Sequence, residues 1–292
     1  MDKTKFTAFV TAAEKGSFTS AAETLGYTQP GITRLINLLE DELGFPLFIR
    51  DKKGVTLTEN GKMMLPAARG VLNSISNAEQ LSADIRGMVR GVLTIGSYYS
   101  ISSMRLPEII KEFGQRYPDV HVRLREGGNR DMQKWLMEKS VDCCFCAEPS
   151  DVPCDWFPVF RDEIVVWLPK SHPMALRGVS AYPVELISEE SFIHTQPDED
   201  TEIDRLLKGL EKQPETRFTT RDAFTTYNMV AAGLGVSFNQ RLITEKWNKS
   251  VFEIPFDPPQ YVSLGIAVPS KSEASPAARK FIDCALEIML RK

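Results

Sequence analysis

The chain has 292 residues, of which 42% are apolar and 25% charged, a balance typical of globular proteins with room for about two domains. Lys and Arg number 35 against 39 Asp and Glu, and a formal charge of −4 argues weakly against a nucleic-acid partner. No apolar run reaches the ~20 residues of a membrane-spanning helix, so no membrane partner is expected. Five cysteines at irregular spacing, and an N-terminus unlike a signal peptide, predict a cytoplasmic protein with reduced thiols.

The first ninety residues predict a small helical head and a long helix. A 3–4 spaced apolar stripe predicts a first helix that ends at Gly16. Thr19 is expected to cap a second helix, Ser20 to Leu25, and Thr28 to cap a third that runs to about Leu43. Two helices joined by a short glycine-containing turn are typical of a helix-turn-helix.

The third helix separates an apolar face from a polar one. The polar side chains have the groups that read a DNA major groove, because Arg pairs with guanine, Asn or Gln with adenine, and Thr with the thymine methyl. The alternative is an ordinary solvated helix face. The candidate DNA-binding residues of this helix are Gln29, Pro30, Thr33, Arg34 and Asn37.

A hairpin pattern over residues 48–57 follows this helix, with a basic turn that contains Gly54. Beside a recognition helix, such a wing would place Arg50, Lys52 and Lys53 over the backbone phosphates. The alternative is an ordinary solvated turn. The position of the hairpin directly after the third helix favours a wing.

A series of motifs spans nearly the whole head without gaps. It consists of Phe18 through Arg34 (FTSAAETLGYTQPGITR), Leu39-Glu40, Leu43-Gly44, Pro46-Leu47-Phe48, Arg50 and Leu57 to Gly61 (LTENG). These motifs closely resemble those of the LysR-type transcriptional regulators, and so many spaced positions make the match highly specific.

The resemblance implies that the polar face of the third helix contacts double-stranded promoter DNA and that residues 50–53 form the wing. The chain departs from the usual family pattern at Gly31, Leu35 and Asn37, which leaves the operator sequence open.

Residues 59–86 predict one long helix, and the linker is taken to run from 59 to 90. Its 4–3 spaced apolar stripe indicates either a dimer interface or packing on the body, and the resemblance favours dimerisation. The head and linker together hold 11 basic and 10 acidic side chains, so a single head should bind phosphate weakly and a homodimer or homotetramer is expected. The stripe consists of Met64, Ala68, Val71, Ile75, Ala78 and Ile85.

From residue 91 onward, strand-like runs alternate with helical patterns, which predicts an α/β body of two halves. The resemblance continues less densely here and implies an effector-binding domain related in fold to periplasmic binding proteins. The predicted fold is therefore a two-domain α+β chain: a winged helix-turn-helix (1–58), the linker helix (59–90) and an effector domain (91–292). Within the last, subdomain I spans about 91–162 and 266–292, and subdomain II about 163–265.

Polar residues at strand-to-helix junctions are the candidate effector ligands, because strand ends and helix starts meet at the cleft of such folds. They suit a small effector with a polar or anionic group, although helix capping is the alternative role for each Ser, Thr or Asn. The candidates are Ser100, Ser102, Asn129, His194, Thr195, Phe224 and Thr225.

No catalytic constellation, metal-ligand spacing or cofactor motif is apparent, so no enzyme activity, metal or cofactor is expected. Cys143, Cys144 and Cys146 lie on a predicted buried strand, where thiols pack as small hydrophobes. Two other classes of protein fit the sequence less well. A solute-binding protein would need no head, and an enzyme would need a catalytic constellation.

Overall fold

A computed structural model describes residues 1–51, 54–197 and 200–290. Three helices open the chain: α1 (Lys3–Lys15), α2 (Phe18–Leu25) and α3 (Gln29–Leu43). A side-chain oxygen caps each one by accepting a hydrogen bond from the backbone N–H three residues on, and a glycine in the left-handed conformation ends each one. The caps are Asp2, Ser17 and Thr28, and the glycines are Gly16, Gly26 and Gly44.

The second helix begins earlier than predicted, because Ser17 and not Thr19 provides its cap. Thr19 is then an ordinary helical residue, and Phe18, which the prediction left outside the helix, is buried in the head. The third helix has the predicted cap and the predicted end.

An aromatic cluster holds the head together. The rings of Phe9 and Phe18 each meet the ring of Phe48 edge-on, with centroids 5.6 and 5.3 Å apart. Ile32, Ile36 and Leu39 of α3 are buried in the same core, so the opposite face of α3 is left to solvent.

Strands β1 (Phe48–Asp51) and β2 (Gly54–Leu57) pair antiparallel and form the predicted hairpin beside α3. Lys52 and Lys53, predicted to contact phosphates from the turn, lie outside the described residues.

Helix α4 (Glu59–Ile85) has 27 residues and runs from the head to the body. It packs closely on the head: a Cβ at Gly61 would lie 2.2 Å from the carbonyl oxygen of Leu47. Met64 and Ala68, predicted as part of a dimer stripe, instead pack in the head core, because this first part of α4 lies against α1. Further along, Val71 and Ile85 are exposed.

The first part of the body contains β3 (Gly91–Ser97), α5 (Tyr99–Met104), α6 (Leu106–Arg116), β4 (Val120–Glu126), α7 (Asn129–Met137) and β5 (Cys143–Ala147). The sequence pattern over 104–116 predicts one helix, which is α6; it begins two residues later than predicted, because α5 ends in a break at Arg105. Pro107 accounts for the break, because proline has no N–H to donate to the carbonyl group one turn earlier.

Two long strands join the halves of the body: β6 (Asp155–Leu168), and a strand of 17 residues, Phe252–Val268. The sequence predicts only the short apolar runs 157–160, 164–168 and 264–268. Polar residues interrupt the apolar pattern between those runs, yet they continue the same antiparallel pairing, as in Asp162 opposite Val262.

The second part contains α8 (Pro173–Arg177), β7 (Tyr182–Pro183), β8 (Ser191–Thr195), α9 (Glu202–Lys208), β9 (Glu215–Thr220), α10 (Ala223–Ala231) and β10 (Ser237–Gln240). The long strand is β11, and helix α11 (Pro276–Leu290) follows it and packs on α4 and α6. In the described part of the chain, the main sheet has the order β10-β6-β11-β5-β3-β4.

Separate hydrophobic clusters fill the two ends of this sheet. One contains Leu93, Phe145 and Phe281, and the clusters at the other end contain Trp167, Tyr227 and Phe238. The body therefore has two subdomains linked by β6 and β11. Over the described ranges, no helix combines the length and the apolar character needed to cross a membrane.

Candidate nucleic-acid interface and ligand cavity

The predicted reading residues share one face at the start of α3. Gln29, Pro30, Arg34 and Asn37 are exposed and Thr33 is half-buried. All five line one shallow surface depression, together with Leu38 and Asp41. They come together because α3 buries its other face in the head core.

Hydrogen bonds preorganise part of this face. The Gln29 amide nitrogen donates to Thr33 Oγ1 at 3.0 Å. Arg50 of the hairpin donates to Asn37 Oδ1 at 2.5 Å, and its guanidinium lies 5.1 Å from the centroid of the Phe18 ring. Arg50 therefore lies against α3 instead of extending away on the wing. Arg34 forms no salt bridge within the described ranges, so its guanidinium is available to a partner.

A cavity of about 540 Å³ lies between the two subdomains of the body. Four of the seven predicted ligands line it: Ser100 and Asn129 from the first subdomain, and Thr195 and Phe224 from the second. These residues begin α5, α7 and α10 or end β8, so strand ends and helix starts from both halves meet there, as the sequence argument expects.

Hydrogen bonds cross the cavity. Ser100 Oγ donates to Gln240 Oε1 at 2.9 Å, and both residues are buried. The Asn129 amide nitrogen donates to the backbone carbonyl oxygen of Asp200. Because each bond joins the first subdomain to the second, the relative arrangement of the halves is tied to the polar lining of the cavity.

The other three predicted ligands lie outside the cavity lining. Ser102 is buried within α5 and does not reach the cavity. His194 points toward α9, with Nε2 2.9 Å from Asp204 Oδ1, since alternate residues of a strand face opposite sides. Thr225 is exposed in the first turn of α10, where its backbone N–H bonds to Asp222.

The lining also includes residues beyond the seven candidate ligands. Tyr98, Tyr99, Ile164, Ile203 and Ile243 give it a largely apolar wall. Its polar and charged groups come from strand ends and loops, where no periodic signal marks them. These additional groups are Glu126, Gln196, Thr201, Arg221, Asp222, Asn239 and Gln240.

Aromatic packing connects the cavity wall to the hydrophobic cluster that contains Trp167 and Tyr227. Phe224, which is half-exposed, meets Trp247 edge-on at 5.2 Å. Trp247 in turn contacts Tyr227 and Trp167 at 5.1 and 6.2 Å. A ligand on Phe224 would therefore change the surroundings of a tryptophan, which gives a spectroscopic signal of binding.

Strand β6 carries a buried carboxylate beside the cavity, where it passes between the two subdomains; this part of β6 is called the hinge below. Asp162, on β6, accepts a hydrogen bond from the backbone N–H of Leu242 at 3.1 Å. Burial raises its pKa from 3.8 to about 6, because the charged form loses hydration. Ion pairs surround it: Arg105 with Glu245 at 2.8 Å, and Arg241 with Glu163 at 2.6 Å.

The cysteines of β5 are fully buried, and burial raises the pKa of the Cys143 and Cys144 thiols. A high thiol pKa suppresses the reactive thiolate, as in a packing role. Across residues 1–51, 54–197 and 200–290, no group of three or more His, Cys, Asp or Glu side chains is arranged to hold a metal ion.

A winged helix-turn-helix joined by a long helix to a two-subdomain domain with an internal cavity defines a DNA-binding protein with a ligand-sensing domain. Family models match both parts. Residues 4–62 match the bacterial regulatory helix-turn-helix protein, lysR family, and residues 86–289 match the LysR substrate binding domain.

Individual relatives agree with these matches. The chain is 31% identical to the uncharacterized HTH-type transcriptional regulator YvbU of Bacillus subtilis, over 99% of both chains. Among solved structures, a cysteine variant of full-length OxyR from Pseudomonas aeruginosa is 23% identical with a TM-score of 0.79, covering 99% of this chain and 94% of that one. Full-length CbnR complexed with its target DNA is 18% identical with a TM-score of 0.66, covering 99% and 100%.

The chain belongs to the LysR family of bacterial helix-turn-helix regulators. It is a DNA-binding transcriptional regulator with a C-terminal effector-binding domain. The family resemblance and the fold class predicted from the sequence are thereby confirmed.

Proposed function

We propose that this regulator reads promoter DNA with the exposed start of α3 and senses a small effector in the cavity between its subdomains. In this proposal residues 1–58 form the DNA-binding domain, 59–90 the linker and 91–292 the effector domain. The observation that carries the proposal is the shared exposed face of α3, on which five side chains suited to base or phosphate contact lie beside a hairpin.

On DNA, α3 enters the major groove. Gln29, Thr33, Arg34 and Asn37 contact base edges, and Pro30 packs at the start of the helix. Arg34 supplies the positive charge that forks onto a guanine. The fixed bond from Arg50 to Asn37 presents both side chains together, so Asn37 keeps its amide N–H₂ group to donate.

The hairpin is assigned to the DNA backbone. Lys52 and Lys53 would lie over the phosphates, and Arg50 would reach a phosphate from its position against α3. Such contacts set register without reading sequence.

The regulator acts as a homodimer or homotetramer. The later part of α4 supports this, since Val71, Leu81 and Ile85 expose 42, 47 and 78% of their surface. Apolar side chains spaced along one long helix favour pairing with a second chain. Two paired heads would bind two half-sites, which compensates for the nearly neutral charge of each head.

The effector is a small molecule with an apolar part and a polar or anionic group. The volume of about 540 Å³ lies within the usual range for such ligands. The aromatic and aliphatic wall suits the apolar part, while Ser100, Asn129, Thr195 and Arg221 offer hydrogen bonds and one positive charge. Glu126 and Asp222 also line the cavity and disfavour a second negative charge on the ligand.

Binding changes regulation only if the effector prefers one arrangement of the two subdomains. The bonds from Ser100 to Gln240 and from Asn129 to Asp200 belong to one arrangement, and a ligand that competes for these groups favours another. The regulator works in the cytoplasm without catalysing a reaction.

The test is binding of the full chain to a DNA fragment from upstream of its own gene, at several salt concentrations. We expect saturable binding that weakens steeply as salt rises, because bound counterions are released from the phosphates. Absence of saturable binding to any upstream fragment would contradict the proposal.

For the cavity, a library of small carboxylates, amides and aromatics is screened by thermal shift, with tryptophan fluorescence, to which Trp247 contributes, as a second readout. A ligand stabilises the chain by RT ln(1 + [L]/Kd), so binding raises its melting temperature. Phe224→Ala should reduce the shift for every hit that uses the cavity, and hits that Phe224→Ala leaves unchanged bind elsewhere.

A further inference from the structure

A buried arginine in the linker helix joins three parts of the molecule. Arg69, on α4, has only 8% of its surface exposed. One guanidinium nitrogen lies 3.0 Å from Glu14 Oε1 on α1 of the head, and another lies 2.7 Å from Glu138 Oε2 of the body. A buried guanidinium is costly without partners, so each carboxylate is needed to keep Arg69 in this position.

Two amide side chains on α4 continue the contact with the body. Asn73 donates to the carbonyl oxygen of Lys139 at 3.0 Å, and Asn77 donates to that of Glu273 at 2.8 Å. Arg69, Asn73 and Asn77 are four residues apart, so they lie on one face of α4. This face holds the linker helix of one chain against its own effector domain.

Glu138 connects this contact to the cavity. It is the C-cap residue of α7, and the first residue of α7 is Asn129, which bonds across the cavity to Asp200. At about 1.5 Å per residue, α7 is roughly 13 Å long. One helix therefore has a cavity ligand at its start and the partner of Arg69 at its end.

Tight packing on β3 and β4 leaves α7 little room to deform. A Cβ at Gly96 of β3 would lie 3.1 Å from the Trp135 ring and 3.2 Å from Met132 Sδ, both on α7. The Arg125 guanidinium of β4 stacks on the same indole, 4.1 Å from the centroid of the Trp135 ring. With so little free space, a displacement at Asn129 would be passed along α7 to Glu138 instead of being absorbed within the helix.

We propose that Arg69 is the positioning residue that couples the effector cavity to the DNA-binding head, through Asn129, α7 and Glu138 on one side and Glu14 on the other. Opening of the cavity releases Asn129 from Asp200, shifts the end of α7 and withdraws Glu138 from Arg69. The bond from Arg69 to Glu14 then no longer fixes α1 relative to the body. The part of this inference that concerns DNA rests on the function proposed above.

The direct test measures amide hydrogen exchange of α1 in the full-length protein without DNA or effector. Asn129→Ala breaks the contact across the cavity, and Glu138→Gln removes the charge that Arg69 contacts. We expect Asn129→Ala to speed exchange of α1 amides by about threefold or more in the wild-type background, and by less than about 1.5-fold in the Glu138→Gln background.

Equal acceleration in both backgrounds, or none in α1, would overturn the coupling. Glu112→Gln is the matched control, because it also neutralises a glutamate in an ion pair, with Arg116, but on α6 away from α4. It should leave exchange in α1 unchanged. Asn129→Asp, which keeps the size of the side chain but replaces its donor, is the second variant and should act as Asn129→Ala does.

The DNA arm uses the same variants with the upstream fragment as the probe. Asn129→Ala should change the affinity by about threefold or more only when Glu138 is intact. If no protein binds the fragment, wild type included, the proposed function is refuted. The hydrogen-exchange result then decides the coupling on its own. Normal DNA binding with additive effects refutes the coupling alone.

Discussion

The two sites of this regulator are built in opposite ways. The proposed DNA-binding surface is open and shallow and belongs to one helix and one hairpin, which a single core around Phe48 supports. The cavity is concave and takes its walls from two subdomains, with bonds such as Ser100 to Gln240 across it. The surface on α3 is complete once the head folds, whereas the cavity exists only in a particular arrangement of the two subdomains.

This difference separates recognition from regulation. A rigid surface on α3 would keep its base contacts constant, whereas a cavity between two halves can be closed or opened by a ligand. Mutations in the head core should therefore abolish function by unfolding, while mutations at the cavity should change an equilibrium.

The largest expected effect comes from the head core. Phe9→Ala removes a fully buried ring that packs on Phe48, and should destabilise the head by about 3–5 kcal/mol. Chemical denaturation of the full chain should show the head unfolding early while the tryptophan signal of the body is unchanged. Met63→Ala, at a side chain 79% exposed, should change stability by less than about 0.5 kcal/mol.

Simultaneous loss of both transitions in Phe9→Ala would show that head and body fold as one unit. The surface on α3 would then depend on the body, as the cavity does.

Asp162, beside the cavity, should make the stability of the body depend on pH. Asp162 has a pKa raised from 3.8 to about 6, so the folded state binds its proton more tightly than the unfolded state does. Its contribution to stability is present at low pH and is lost as pH rises through about 6. Asp162→Asn keeps an acceptor for the Leu242 N–H group and has no charge to bury.

Relative to wild type, Asp162→Asn should therefore gain about 2 kcal/mol of stability between about pH 4.5 and pH 7.5. Denaturation curves at both pH values measure this gain. Asp283→Asn, at an exposed position of α11, is the control and should show no comparable gain. A pH-independent difference for Asp162→Asn would mean that this carboxylate is well solvated and that the hinge is open to water.

A smaller effect is expected at the bond across the cavity. Ser100→Ala leaves the buried Gln240 Oε1 without its donor and should lower stability by about 1 kcal/mol. Hydrogen exchange should increase in α5 and around Gln240 but not in α3. Ser103→Ala, whose hydroxyl bonds only within its own helix, should be nearly neutral. Equal effects of the two variants would show that Ser100 does not hold the subdomains together.

The sequence predicts the surface on α3 better than the cavity, because the first is built locally and the second from distant parts of the chain. In the head, caps and apolar spacing act within a few residues, so the limits of α3 and the side chains on its outer face can be derived. The start of α2 is harder to place, because Ser17, Thr19 and Ser20 are all acceptable caps. The local pattern does not distinguish them, but burial of Phe18 does.

At the cavity, the sequence indicates strand ends but not which side chains turn inward. Thr195 lines the cavity and its neighbour His194 does not, because consecutive strand residues face opposite ways. Gln240 and Arg221 depend on the register of strands far apart in the chain. The bonds from Arg69 to Glu14 and Glu138 span 55 and 69 residues, and no local signal marks them.

The outer face of α3 is proposed to read the DNA sequence. The measurement is competition between the preferred site, selected from random duplexes by the wild-type protein, and its single-base variants, for wild type, Arg34→Ala and Arg86→Ala. Arg86 is the control, since it lies at the end of α4 and bonds to Ser82. We predict that Arg34→Ala loses about 1–3 kcal/mol for the preferred site and discriminates poorly at one base pair in each half-site, while Arg86→Ala matches wild type. Unchanged affinity and unchanged discrimination by Arg34→Ala would contradict the assignment.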